Sequence, residues 1–246
     1  MWLDSFGEMI KDRSNYCAIV TDYDRTLTDN SLMLYEPLLD VLTSLRRYDN
    51  IKFLIASGRR LDFLLRGLGS YNIVNAIVAE NGAVICLPET NSMYILGEQN
   101  ASIREGLKNS SIPFDAGQVV ISVKKEFEKD VIDLVNGIRL NVKIEYNRDS
   151  IMILPNNIDK ALGVKEALRL LKLRPTELIC IGDAENDSSL FDIGTVSVAT
   201  FDAVPELKER ADIVCSEEGA IGVTRFLNDL LNSVLKNNEN DIAGGV

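Results

Sequence analysis

The amino-acid sequence predicts an α/β protein: a Rossmann-like core around a parallel sheet, with an inserted α+β unit. Before residue 82 and after residue 156, short apolar runs alternate with amphipathic segments, a pattern typical of strands joined by crossover helices. Between residues 83 and 155, short apolar runs follow one another across breaks of Pro, Asn and Gly, which favours antiparallel pairing. We therefore expect residues 1–82 and 156–246 to form the core and residues 83–155 a second domain.

The first half of the core begins with Cys-Ala-Ile-Val at residues 17–20, a run typical of a strand buried on both faces. A helix is predicted from Pro37, because proline suits the first helical turn and the apolar residues after it share one face. Residues 51–55 and 73–78 predict two further strands, and residues 61–68 predict the helix between them. This order predicts parallel strands.

The remaining elements follow from the same patterns. In the insert we predict strands at residues 83–87, 93–96, 119–123, 142–146 and 150–154, and helices at residues 101–108 and 126–138. In the second half of the core we predict helices at residues 160–171, 204–210 and 219–235, and strands at residues 177–181, 196–199 and 213–215.

Composition restricts the partners and the location. The chain has 26 basic and 37 acidic residues, a net charge of −11, which argues against nucleic acid or a membrane as a partner. A small anionic substrate stays open, because one pocket can be locally positive. No apolar run approaches the roughly 18 residues that a membrane helix needs, and residues 1–16 lack the apolar stretch of a signal peptide. Four widely spaced cysteines indicate reduced, buried thiols of a cytoplasmic protein.

The chain contains no histidine. This excludes Ser-His-Asp and Cys-His nucleophile pairs, histidine-ligated zinc and phosphohistidine transfer. In an enzyme with this composition, proton transfer must use carboxylates, Lys, Tyr or Cys.

Polar residues follow three of the predicted strands. Asp22 and Asp24 come after the first strand, Ser57 after the second, and Asp183 and Asp187 after residues 177–181. Because ligands of open parallel sheets bind beyond the carboxyl ends of the strands, we expect these side chains to meet at one edge.

These residue types suit phosphoryl transfer. The carboxylates of Asp22 and Asp183, with the backbone carbonyl of Asp24, form an oxygen set that Mg²⁺ prefers. Asp187, one helical turn after Asp183, can ligate the ion or hold its waters. A carboxylate beside the ion can attack phosphorus, and Asp24 can move the protons. A Ser hydroxyl and a Lys ammonium suit the phosphoryl group.

Each feature alone has a simpler explanation. Paired aspartates after a strand are more often turn or capping residues, Ser-Gly-Arg is a common turn, and Lys160 alone suggests a solvated lysine at a helix start. Their joint occurrence, in order and at strand ends, favours catalysis.

Four motifs resemble those of the haloacid dehalogenase (HAD) superfamily. Residues 22–28 are similar to its D-x-D-x-T motif, residues 56–59 to its second motif, Lys160 to its third and residues 182–187 to its G-D-x-x-N-D motif. The insert lies between the second and third motifs, which resembles the C2 cap of the Cof-type (IIB) subfamily.

The resemblance implies a Mg²⁺-dependent phosphomonoester hydrolase that forms an aspartyl phosphate. It implies Asp22 as nucleophile and Asp24 as general acid and base. The implied phosphate and substrate contacts are Ser57, Gly58, Arg59, Lys160 and Asn186, and the implied metal ligands are Asp22, Asp24, Asp183 and Asp187. Arg59 is also a candidate contact for a substrate carboxylate or second phosphate.

Residues 159–164 and the short insert are most similar to the archaeal phosphoglycolate phosphatase branch. Sugar-phosphate, trehalose-phosphate and mannosyl-phosphoglycerate phosphatases stay open as alternatives, as do a phosphomutase and a non-catalytic sensor of a phosphorylated ligand. A small phosphorylated metabolite is the expected partner, and both a monomer and a homodimer stay open. Two departures from the family pattern are Arg25, in place of Gly, and Asp202, in place of Asn. Five cap cations are candidates to face the site: Arg104, Lys108, Lys124, Lys125 and Arg148.

Overall fold

The computed structural model describes residues 2–12, 14–29, 31–69, 73–98, 101–138 and 141–243. The helices are α1 Trp2–Lys11, α2 Glu36–Leu45, α3 Leu61–Leu68, α4 Ala101–Asn109, α5 Glu128–Ile138, α6 Lys160–Leu170, α7 Ser188–Phe191, α8 Pro205–Arg210 and α9 Gly219–Ala243. The strands are β1 Cys17–Thr21, β2 Ile51–Ala56, β3 Ala76–Ala79, β4 Val84–Leu87, β5 Ser92–Ile95, β6 Phe114–Ala116, β7 Ile121–Lys124, β8 Val142–Asn147, β9 Ser150–Pro155, β10 Glu177–Gly182, β11 Val196–Ala199 and β12 Ile213–Val214.

The central sheet has eight strands in the order β12-β11-β10-β1-β2-β3-β4-β5. Pairing is parallel from β12 to β3, and β4 and β5 are antiparallel. Apolar side chains of the strands are buried on both faces, against two separate clusters that also contain helical residues. Because both faces are covered, the strands are continuous apolar runs without alternation. The predicted α/β fold is confirmed.

A second, antiparallel sheet has the order β6-β7-β9-β8 and forms the expected α+β unit. Ile103 and Leu107 of α4 and Val131 of α5 pack on one of its faces, with Ile121 and Ile151 of the sheet. The other face includes Met152 and is packed against the core. We refer to this unit as the cap.

Strands β4 and β5 belong to the central sheet. Their spacing predicts membership of the insert, but β4 pairs with β3 and β5 pairs with β4. The turn at residues 80–82 folds the chain back onto the free edge of β3, where Val84 and Ile85 become fully buried. We therefore propose that the inserted domain begins near Ala101, not at residue 83.

Helix α1 was not among the predicted elements, although its sequence carries the signal. Trp2, Phe6 and Ile10 recur at helical spacing, and Phe6 and Ile10 are buried. The ring of Trp2 stacks on Phe226 of α9 at 6.3 Å between centroids. Helix α9 has 25 residues, but neither it nor another helix in the described ranges is apolar enough to cross a membrane.

The turn between β3 and β4 consists of three residues with left-handed backbone, Glu80, Asn81 and Gly82, whose φ angles are 51°, 54° and 104°. A Cβ atom on Gly82 would lie 1.9 Å from the carbonyl oxygen of Asp159, which precedes α6. The turn between β3 and β4 is therefore in direct contact with the start of α6, and only glycine permits this approach.

We expect Gly82→Ala to destabilise the fold by about 3 kcal/mol or more. The site would force alanine into a left-handed backbone, and its methyl group would collide with the carbonyl of Asp159. In a chain of this size that corresponds to a fall in Tm of roughly 6–12 °C. The control is Gly137→Ala in α5, where a Cβ meets nothing within 4 Å; it should leave Tm unchanged or slightly raised. Equal Tm values for the two variants would contradict the proposed contact.

Candidate active site

The predicted site residues lie at the carboxyl edge of the central sheet. Strand β1 lies between β10 and β2, and Thr21, its last residue, is in register with Ile181 and Ile55. The loops that follow these three strands therefore leave the sheet side by side, with Asp22 on the first and Asp183 on another.

Lys160 lies at the centre of this edge, and its side chain is fully buried. Its Nζ lies 2.7 Å from Asp22 Oδ1 and 2.6 Å from Asp187 Oδ1. Burial alone would lower the pKa of Lys160, but the two carboxylates outweigh burial and raise it. Asp159 caps the start of α6 by accepting a hydrogen bond from Leu162 N, which fixes the turn that carries the lysine.

Asp187 also shapes the loop after β10. Its second oxygen, Oδ2, accepts hydrogen bonds from Asp183 N at 2.9 Å and Ala184 N at 3.0 Å. A Cβ atom on Gly182 would lie 2.6 Å from the Asp187 carboxyl carbon, so glycine leaves the space that the carboxylate fills. Both oxygens of Asp187 thus accept hydrogen bonds from the protein itself.

Asp22, Asp183 and Asp187 form a buried group in which one oxygen of each lies within 4.8 Å of the others. Burial, and then the neighbouring carboxylates Asp187, Asp183 and Asp24, raise the pKa of Asp22 against the opposing effect of Lys160. Burial and Asp187 raise the pKa of Asp183 to about 6. Asp183 Oδ2 is enclosed and has no hydrogen-bond donor in proper geometry among the described residues. This oxygen set with its excess negative charge fits a hard divalent cation.

Asp24 is not part of this carboxylate group. It accepts two hydrogen bonds from Arg59, at 2.8 Å from Nε and 3.1 Å from Nη2, and this pairing raises the pKa of Arg59. The Arg59 guanidinium also lies 4.7 Å from the centre of the Phe63 ring. Ser57 Oγ accepts a hydrogen bond from Arg59 N. The guanidinium expected to meet a substrate anion therefore holds Asp24 in this structure.

Asn186 is buried and donates to Asn81 Oδ1 at 3.1 Å. Asn81 in turn donates to Glu145 of the cap. Asn186 Oδ1 has no partner in the described part of the chain. This asparagine pair links the loop after β10 to the β3–β4 turn and, through Glu145, to the cap.

Arg148 is a cap cation that reaches the core. It lies in the turn between β8 and β9 with φ 49°, and its Nη2 donates to the carbonyl oxygens of Asp183 and Asp202 and lies 2.6 Å from Asp183 Oδ2. The Lys124 side chain is 76% exposed, and Lys125 lies over Tyr146 of the cap. The hairpin turn that contains Arg148 could have been predicted from sequence. The contact between the Arg148 side chain and Asp183 could not.

The two departures from the family pattern have local explanations. Arg25 has φ 58°, the left-handed region in which glycine is free of strain. Asp202 Oδ1 accepts a hydrogen bond from Gly219 N and so caps the start of α9.

A cavity of about 160 Å³ opens between cap and core. Its core side includes Asp24, Gly58 and Arg59, and its cap side includes Arg148 and Met152. A Cβ atom on Gly58 would lie 2.9 Å from Met152 Sδ, so the cap lies close to the loop after β2. The space suits a small substrate.

Comparison with known proteins agrees with this geometry. The family of haloacid dehalogenase-like hydrolases matches residues 19–105 and 100–227. The chain belongs to the haloacid dehalogenase-like hydrolases. A phosphoglycolate phosphatase of Sulfurisphaera tokodaii is 32% identical over 87% of this chain and 94% of its own length. A phosphoglycolate phosphatase 2 of Saccharolobus solfataricus is 30% identical over 89% and 94%.

Solved structures share the fold. A haloacid dehalogenase subclass IIB sugar phosphatase aligns with a TM-score of 0.70 at 16% identity, over 86% of this chain and 97% of its own. The C-terminal domain of C. albicans trehalose-6-phosphate phosphatase aligns with a TM-score of 0.73 at 16% identity, over 94% and 97%. The family match and the two relatives identify the chain as a phosphatase of this superfamily, and the solved structures confirm its fold.

We expect Asp183→Asn to stabilise this hydrolase in the presence of a metal chelator. With its pKa raised from 3.8 to about 6, the buried carboxylate costs roughly 2–3 kcal/mol at pH 7. The unfolded state releases this proton at lower pH, so the cost grows as pH rises from about 4 to 6 and is constant above.

Thermal unfolding at several pH values in EDTA measures the effect. The Tm advantage of the variant over the wild type should increase from pH 4.5 to 6.5 and then level off. A variant that is less stable than the wild type at pH 7 would show that Asp183 is balanced by its neighbours, contrary to the charge excess inferred above.

Proposed function

We propose that this phosphatase hydrolyses a small phosphomonoester whose leaving group carries a carboxylate, and that phosphoglycolate is its substrate. The observation that carries the proposal is the cavity of about 160 Å³ whose lining includes Asp24 and two arginines, Arg59 of the core and Arg148 of the cap. The two relatives named above as phosphoglycolate phosphatases support the same choice over nearly their full length.

In the first step Asp22 attacks phosphorus. One of its oxygens is held by Lys160, and the other has no hydrogen-bond partner among the described residues. The free oxygen forms an acyl phosphate as the bond between phosphorus and the leaving oxygen breaks. Asp24 acts here in its acid form, which requires that one of its two bonds to Arg59 opens when substrate binds, and it donates its proton to the leaving alkoxide, which departs as glycolate.

In the second step Asp24, now a carboxylate, takes a proton from water as the water oxygen attacks phosphorus. The acyl phosphate bond breaks, which restores the Asp22 carboxylate and releases inorganic phosphate. Arg59 bonds to both oxygens of Asp24 in this structure, and a bond retained to one of them orients Asp24 while the other oxygen carries the proton. No imidazole is needed.

Donors around the phosphoryl group balance its charge. Lys160 is fixed by two carboxylates and can direct its remaining N–H toward the substrate. We assign Ser57, Gly58 and Asn186 to the same group, because their loops border the site. Asp22, Asp183 and the carbonyl of Asp24 would hold Mg²⁺, with Asp187 behind them, and the ion when bound supplies charge neutralisation at the phosphate.

The cap selects the leaving group. Arg148 projects from the β8–β9 turn into the cavity, and its Nε is enclosed without an acceptor in the described part of the structure. Because Nη2 already contacts Asp183 and Asp202, we expect a carboxylate on the leaving group to bind at Nη1 of the guanidinium. Four free, buried cysteines are also consistent with the cytoplasmic location that we propose.

A panel of phosphomonoesters with Mg²⁺ tests the substrate. We expect a higher kcat/KM for phosphoglycolate than for ethyl phosphate or glucose 6-phosphate. Because a hydrogen bond to a charged group contributes about 1.5–3 kcal/mol, Arg148→Met should lower kcat/KM for phosphoglycolate by roughly 10- to 100-fold. The value for ethyl phosphate should fall less, because both substrates share only the loss of the contact between Arg148 and Asp183.

Lys124→Met is the matched control, because it removes one cap charge that faces solvent; it should change neither value. Strong turnover of glucose 6-phosphate with little of phosphoglycolate would overturn the substrate and favour a sugar phosphatase. Equal losses for both small substrates in Arg148→Met would show that Arg148 does not recognise a carboxylate.

A further inference from the structure

Glu80 is a buried carboxylate that the proposed reaction does not use. It is 2% exposed and lies at the junction of core and cap, with a left-handed backbone. Burial of its charge and the strain of its backbone both cost free energy, so Glu80 needs compensating contacts.

Those contacts come from the cap. Glu80 Oε1 accepts a hydrogen bond from Gln118 N at 2.8 Å, and Oε2 accepts from Val119 N at 2.8 Å and Val120 N at 3.1 Å. The three donors are consecutive amides in the turn between β6 and β7. Three backbone N–H groups around one carboxylate make a strong, charge-assisted anchor.

The turn is shaped to receive this carboxylate. A Cβ atom on Gly117 would lie 2.3 Å from the Glu80 carboxyl carbon, so a side chain there would displace the carboxylate. Val119 and Val120 are buried in the cluster that covers one face of the central sheet. The β6–β7 turn is therefore seated on the core, with Glu80 as its polar anchor.

Glu80 is also tied to the loop that carries Ser57 and Arg59. Glu80 N donates to Arg59 O, and Asn81 N donates to Ser57 O, both at 2.9 Å. The same residue thus joins a cap hairpin to the proposed phosphate loop. Strand β7, which follows the hairpin turn, places Ser122 in the wall of the cavity.

We propose that Glu80 is a positioning residue that anchors the β6–β7 turn of the cap on the core and so limits which leaving groups enter the site. The anchor itself stands on the contacts above, whereas its effect on leaving groups rests on the proposed phosphatase mechanism. Without it, the cap hairpin separates from the core while the two sheets stay folded.

Hydrogen exchange measures the anchor without any substrate. In Glu80→Gln, the amide group replaces one acceptor oxygen by a donor, so amides of Gln118, Val119 and Val120 should exchange at least about tenfold faster. Amides of β9, in the middle of the cap sheet, should change by less than about twofold. Gly117→Ala should reproduce this local effect, because it displaces the carboxylate while Glu80 is kept.

Asp115→Asn is the control on the same hairpin. It removes the Arg60–Asp115 ion pair at 3.1 Å, which also crosses between core and cap but is solvent-exposed, and such pairs contribute little. It should leave exchange at residues 118–120 unchanged. The anchor would be refuted by unchanged exchange in Glu80→Gln and Gly117→Ala, by uniformly faster exchange across the cap, or by an equal effect of Asp115→Asn.

Kinetics then test the effect on leaving groups. Glu80→Gln should raise KM for phosphoglycolate about fivefold or more with kcat changed by less than about threefold, and should raise kcat/KM for the bulkier p-nitrophenyl phosphate. Parallel losses for both substrates would refute the limit on leaving groups. A wild type that does not hydrolyse phosphoglycolate would overturn the proposed substrate and leave the exchange result as the test of the anchor.

Discussion

The buried ammonium of Lys160 is the interaction on which the rest of the site depends. A fully buried cation is tolerated only when carboxylates surround it, and Asp22 and Asp187 do so at 2.7 and 2.6 Å. These partners lie on two different loops of the parallel sheet. The hydrogen bonds of this one ammonium group therefore fix both loops. The contact between Gly82 and Asp159 places the β3–β4 turn against the start of α6, the helix that carries Lys160.

The site is built at the expense of stability. Three carboxylates are buried together, and burial, with the nearby charge of Asp187, raises the pKa of Asp183 to about 6. Left-handed backbone at Glu80 and Asn81 adds strain at the junction with the cap. Both features occur at the proposed site and at its border with the cap, which agrees with the usual relation between function and stability.

Much of this arrangement could be predicted from sequence, because strand direction brings Asp22 and Asp183 to one edge and helix spacing adds Asp187. Contacts between distant segments could not. Nothing local shows that Arg148 reaches Asp183 or that Glu80 holds a cap turn, since both depend on how the cap lies on the core. The placement of β4 and β5 in the insert differs from the structure for the same reason. An antiparallel pair can extend either sheet, and this pair joins the central sheet because β3 offers a free edge there.

The central claim is that Asp22, held by Lys160, is the nucleophile. Rapid acid quench of the enzyme during turnover of ³²P-labelled substrate, followed by peptide mapping, tests it most directly. We predict label on the peptide that contains Asp22, and for Asp22→Asn no label with kcat reduced by at least about 10³-fold. Label on another residue, or sustained turnover by a folded Asp22→Asn variant, would contradict the claim.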